Sequence, residues 1–226
     1  KLSFGFDNAV LTTGDNITLL SVDSATASLG EIKENADGTP KATINGKIVV
    51  ERYYPEKRAW RLIAAPIKPN AAAPSINTAW QEGASPAVTG VSNDDPHPLY
   101  GTHITGPYGS GTGYTIAVTD SGFDQSPLNV SSMKYYSPVT NGYKNVSNTY
   151  TTKVTDQQGY LLFVRGNRSY DISTTTNFVA PGKTILRVQG NVNTGKIAVP
   201  ADTGLQIIGN PYPSTIIFNE SMFTDN

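Results

Sequence analysis

Apolar and polar positions alternate in short bursts along this chain, and the bursts recur at intervals of about ten residues. Residues 2–6 alternate apolar with small side chains, and 17–22 form a short apolar run. Residues 43–54 read Thr-Ile-Asn-Gly-Lys-Ile-Val-Val-Glu-Arg-Tyr-Tyr. Asn45-Gly46 within that stretch fits a type I′ turn, so 42–44 and 47–54 are expected to pair as a hairpin. A strand over 59–65 follows, closed by Pro66. Its Trp60, Leu62 and Ala64 share one face, with Arg61 and Ile63 on the other. Trp60 is expected to anchor the core, with a sugar-stacking platform as the alternative. Further strands are predicted over 114–119, 133–136, 150–154, 160–165, 169–172, 184–188, 195–199 and 205–209, separated by Gly, Asn, Pro and Asp clusters.

Helix signals are few. Residues 75–81 predict one or two turns that begin at Pro74-Ser75 and stop at Gly83, and a short turn is expected near 219–222. The pattern therefore predicts an all-β fold, an antiparallel sandwich or barrel-like architecture with long loops and at most one or two short helices. Residues 1–41 form an N-terminal β segment that could end a preceding domain, and 42–226 the main β-rich domain. Two stretches, 31–40 and 84–113, have loop composition; the second is long for a structureless connection.

Composition narrows the function classes. Charged residues make up 15% of the 226 and the net charge is −1, with no basic cluster to displace counterions from a nucleic acid. The chain has no cysteine, which excludes a disulfide scaffold, a cysteine–zinc site and a thiol nucleophile. No apolar run reaches the length of a membrane span. The sequence opens on Lys-Leu-Ser without an initiator Met, so a longer parent protein is expected.

Three segments carry a resemblance: Lys57-Arg58-Ala59-Trp60-Arg61-Leu62-Ile63-Ala64-Ala65-Pro66, Tyr100-Gly101-Thr102-His103-Ile104-Thr105-Gly106, and Ile208-Gly209-Asn210-Pro211-Tyr212-Pro213-Ser214. Between them stand Ala79-Trp80-Gln81-Glu82-Gly83 and Gly159-Tyr160-Leu161-Leu162-Phe163-Val164-Arg165-Gly166-Asn167-Arg168. In this order, from about residue 47 to 218, they resemble a module of long, secreted, adhesin-like surface proteins of Bacteroidetes, particularly flavobacteria, exported by the type IX secretion system. The resemblance implies an extracellular, cell-surface location. It implies as partners the neighbouring domains of a longer chain and the type IX machinery during export. It brings no catalytic residues. The C-terminal sorting domain of such proteins has no counterpart here, so export and attachment are expected to depend on sequence beyond Asn226. Asp23-Ser24-Ala25 resembles the Asp-Ser/Thr-aliphatic motif of Bacteroidetes O-glycosylation, which makes Ser24 a candidate modification site.

Candidate chemistry in the residues is sparse. His97 and His103 stand in a Pro/Gly-rich stretch, short of the three or four convergent ligands a transition metal needs. Asp94, Asp95, Asp120 and Asp124 are the candidate calcium ligands, although no Asp-x-Asp-x-Asp-Gly loop is present; no other cofactor is expected. No Gly-x-Ser-x-Gly elbow occurs, and no carboxylate pair stands out as a glycosidase dyad. Gly109-Ser110-Gly111-Thr112-Gly113 opens no helix and has the composition of a flexible turn rather than a phosphate loop. Tyrosines number 12, and Tyr100, Tyr108 and Trp80 are the candidate ligand-stacking residues. Either proline of Asn210-Pro211-Tyr212-Pro213 could take the cis form, though trans is the rule. The expectation is a non-catalytic structural or adhesive module, in contact with glycans or surface proteins. The alternatives are a carbohydrate-binding module and an accessory domain of a secreted hydrolase.

Overall fold

The computed structural model describes residues 1–86, 95–106, 118–126, 130–154, 158–172, 182–199 and 205–217. Among them the fold is mostly β, with nine strands in three sheets and very short helices. It is sandwich-like, and no sheet closes into a barrel. Strand β1 (Ala9–Thr12) pairs with β3 (Ala42–Asn45), and β2 (Ile17–Leu19) with β4 (Ile48–Tyr54). Both of these pairs are parallel. β4 also takes β9 (Thr184–Gly190) antiparallel on its other edge, from Ile48 opposite Gly190 to Tyr54 opposite Thr184. The third sheet is antiparallel in the order β5 (Ala59–Ile63), β8 (Tyr160–Val164), β6 (Met133–Ser137), β7 (Gly142–Asn145).

The hairpin expected at Asn45-Gly46 does not form. Gly46 has φ +100°, a conformation that suits glycine, and it carries the chain around a corner from one sheet into the next. An added Cβ there would lie 2.3 Å from Thr13 Oγ1. The strands on either side find parallel partners one winding earlier. The corner itself stacks on the turn at 13–16: Thr13 N donates to Asn45 O (2.9 Å) and Lys47 N to Asp15 Oδ1 (2.6 Å). Both strands of the 1–41 segment thus pair across the expected boundary with the main domain.

Helix α1 (Ile76–Trp80) lies where its cap predicts, with Ser75 Oγ accepting from Thr78 N at 3.2 Å. Glu82 (φ +58°) and Gly83 (φ +70°) end it. A second helix, α2, covers Val118–Ser121 and takes up the last two residues of the strand expected over 114–119, of which 114–117 lie outside the described residues. Several other predicted strands shrink to single bridges: Leu2 with Leu29, Lys153 with Ser75, and Ile208 with Gln158. Residues 169–172 and 195–199 are not strands. Neither segment pairs with a strand among the described residues. The turn expected at 219–222 lies outside the described residues. Among the described residues no cis peptide occurs, Pro211 and Pro213 included.

The core is continuous from Leu19, Ile48 and Val50, through Leu186 and Val188, to Ile63, Met133 and Leu162, with α1 supplying Ile76, Ala79 and Trp80. Trp60 is not part of it. The buried face of β5 is that of Ile63, while Trp60 is 43% and Leu62 68% exposed. Arg61 is tolerated on the inner side because its guanidinium lies over the Tyr54 ring, 6.0 Å from the centroid.

Candidate functional site

Alternation along four paired strands builds one open face. Trp60 stands opposite Phe163, and Leu62 opposite Leu161. Lys134 faces Leu161 across the next ladder, and Tyr136 faces Tyr143 across the last. Side chains directly opposite one another in an antiparallel pair share a face, so these seven form one surface. The inner face of the same strands carries Ile63, Leu162, Val164, Met133 and Tyr160, all buried.

On the outer face, Trp60 and Phe163 have ring centroids 5.4 Å apart, tilted by 53°. Lys134 Nζ lies 5.5 Å from the Trp60 ring, and the Arg165 guanidinium 5.2 Å from the Phe163 ring. Tyr143 meets Tyr136 edge-on at 5.7 Å, and the Tyr136 hydroxyl bonds Asn141. The result is an apolar, aromatic strip with a cation on each of its two central rings. Such a strip can bury a partner's apolar surface and place two positive charges at its rim. The tilt prevents Trp60 and Phe163 from forming one flat platform.

The second concentration of chemistry is internal. Arg168, His103, Asp124 and Gln81 have no measurable exposure. Arg168 grips Asp124 with both terminal nitrogens, at 2.9 Å to Oδ2 and 3.0 Å to Oδ1. Asp124 Oδ2 also accepts from Gln81 Nε2 (3.1 Å) and Ile104 N (3.0 Å). His103 Nε2 contacts Arg168 O at 2.8 Å, and its Nδ1 lies 3.3 Å from Asp124 Oδ2, out of line for a good hydrogen bond. Burial alone would push the Asp124 carboxyl up. The His103 and Arg168 side chains oppose that and hold it well below the usual carboxylate range. This cluster ties four chain segments together. Its charges pair Arg168 with Asp124, while Gln81 Oε1 and His103 Nδ1 stay buried without a hydrogen-bond partner among the described residues.

The sequence candidates fall apart in space. Trp80 is a core residue, 3% exposed and edge-on to Tyr160 at 5.7 Å, so it is no ligand platform. Tyr100 is half-buried, and Arg187 covers one face of its ring at 4.1 Å while binding Glu82 through Nε and Nη2. Tyr108 and Asp94 lie outside the described residues. Of the calcium candidates, Asp124 is neutralised by Arg168, Asp120 is exposed on α2, and Asp95 is half-buried in another loop. His97 Nδ1 lies 3.2 Å from Glu82 Oε2, away from the His103 cluster. Among the described residues no three His, Cys, Asp or Glu side chains are grouped to hold a metal, and no helix is long and apolar enough to cross a membrane. Ser24 is exposed.

Sequence reasoning placed Trp60 on the wrong side. The signal that could have found the open face was Leu161-Leu162-Phe163-Val164, apolar on both faces of a strand that could be covered on one only. No family model, curated protein or solved structure matches the chain.

Proposed function

We propose that this chain is a non-catalytic structural and adhesive module of a secreted cell-surface protein, and that the outer face of the β5-β8-β6-β7 sheet is its contact surface. The observation that carries this is the exposure of Trp60 and Leu62 on paired strands of the sheet. Large apolar side chains held open on a sheet face favour association, and an aromatic with flanking cations is the composition of an interface centre. The buried state of the Asp124 cluster agrees with a scaffold role for the charged residues. The motif resemblance supports the extracellular setting, with neighbouring domains and the type IX export machinery as partners.

A protein surface is the preferred contact. Carbohydrate binding is the second reading, favoured by the exposed Trp60 ring with Lys134 over it. The tilt to Phe163 weighs against a flat sugar platform. The test measures adhesion of the purified chain to protein-coated surfaces and to an immobilised polysaccharide panel. Trp60→Ser combined with Leu62→Ser should cut adhesion to protein by at least about tenfold, the loss of one modest hot spot, at unchanged Tm. Retention on one polysaccharide class alone, lost in the same variant, would install the second reading. Equal adhesion by wild type and variant on every surface would remove this face from consideration.

A further inference from the structure

The first 54 residues wind as two coils. Leu2 lies parallel to Leu29, Ala9 to Ala42 and Ile17 to Ile48, so one circuit of about thirty residues moves the chain across by one strand. Corners stack as well as strands, through the Lys47–Asp15 and Thr13–Asn45 bonds, and Lys41 reaches back to Asp7 at 2.9 Å. This is the arrangement of successive turns in a parallel β-solenoid.

Burial is unequal between the coils. Leu29, Ala42 and Ile48 are 4%, 3% and 0% exposed. Leu2, Ala9 and Ile17, stacked directly on them, are only half-buried, although Leu2 and Ile17 pack against the same core. Leu19, next to β4, is the one ladder position of β1 and β2 that is buried, and the corner residue Thr13 is buried as well. Among the described residues β1 has no strand partner but β3, and β2 none but β4. The two sides of the stack also differ: β4 is closed on its far side by β9, running antiparallel, which ends the parallel winding there. Among the described residues the β1–β2 side carries no such closure, and its edge offers strand backbone without a ladder partner beside half-covered apolar side chains.

We propose that this edge docks a preceding coil of the same polypeptide, which makes the molecule the closing end of a parallel β-solenoid. Chain direction selects the occupant. In the existing stack the earlier coil lies on the β1–β2 side of the later one. A further coil wound in the same sense on that side comes from residues about thirty positions earlier still. A second copy is a poorer fit. Two identical edges related by a two-fold axis run antiparallel, and the corner at 13–16 would then have no matching corner above it. The docked coil has apolar residues over Leu2, Ala9 and Ile17 and a turn over residues 13–16. The inference is independent of what the open sheet face contacts.

The test compares amide hydrogen exchange in the 226-residue chain and in the same chain extended by the coding sequence immediately upstream. Alternate amides of Ala9–Thr12 and Ile17–Leu19 should exchange at least about tenfold more slowly in the extended protein, as newly paired strand amides do. Light scattering on the 226-residue chain accompanies it, and a monomer is expected. Unchanged exchange in the extended protein, or a reading frame with no upstream residues, overturns the proposal. A dimer whose β1 and β2 amides lose protection on dilution overturns it in favour of a second copy.

Discussion

Asp124 is the residue on which the separate segments converge. Its carboxylate takes Arg168 from the stretch after β8, Gln81 from the end of α1, and the Ile104 amide from the loop before α2. Replacing it by Asn leaves the Arg168 guanidinium fully buried without its counter-charge. Loss of one partner of a buried pair costs about 3–5 kcal/mol, so Asp124→Asn should lower the free energy of unfolding by that order in urea titration. The pH dependence follows from the same geometry. The folded carboxyl is held below its unfolded value, near about 4, so its contribution is full above that pH and is lost as the pH falls through and below it. Wild-type stability should therefore drop more steeply between about pH 5 and 2 than that of Asp124→Asn. Parallel profiles would show that other carboxylates dominate acid unfolding.

At the scale of elements, corners matter as much as strands. Gly46 makes the turn that carries β3 into β4, with a positive φ and Thr13 packed against it. Gly46→Ala should cost about 1–3 kcal/mol, the range for a side chain forced into a sparsely allowed conformation. Gly5→Ala, with nothing within 4 Å and no positive φ, should change stability little in the same denaturation series. The elements were unequally legible in the sequence. β6, β8 and β9 follow from apolar runs of strand length, and α1 from its serine cap. Pairing direction did not follow, because Asn45-Gly46 suits a hairpin as well as a corner that needs positive φ at Gly46 alone, and only the distant partners β1 and β2 decide between them. The orientation of β5 did not follow either. Alternation defines two faces without saying which is inside, and Trp60 is more apolar than Arg61, yet Tyr54 accommodates the arginine. The Asp124 cluster was legible only in pieces: Gln81, His103 and Arg168 lie in the segments that carry the resemblance, but they are far apart in sequence and nothing there joins them to Asp124.

At the scale of the molecule, β4 determines whether the N-terminal coils and the larger sheets behave as one body. Among the described residues it is the only strand that pairs with both a coil strand, β2, and a strand of the later chain, β9. Polar contacts follow the same path: Glu51, 2% exposed, accepts from Ser21 N, and Ser21 Oγ accepts from Tyr53 N. Apolar contacts follow it too, since Leu19 and Val50 belong to the cluster that reaches Leu162. A break at β4 would expose that cluster on both sides, which is the condition for cooperative loss. One unfolding transition is therefore expected. Tryptophan fluorescence, which reports Trp60 and Trp80, should lose its native signal at the same urea concentration as exchange protection in β3 and β4. Leu19→Ala, which removes a buried side chain from the coil side at a cost of about 2–5 kcal/mol, should shift both probes together. If the exchange signal moves and the tryptophan signal stays, the coils unfold by themselves and β4 does not couple them to the rest.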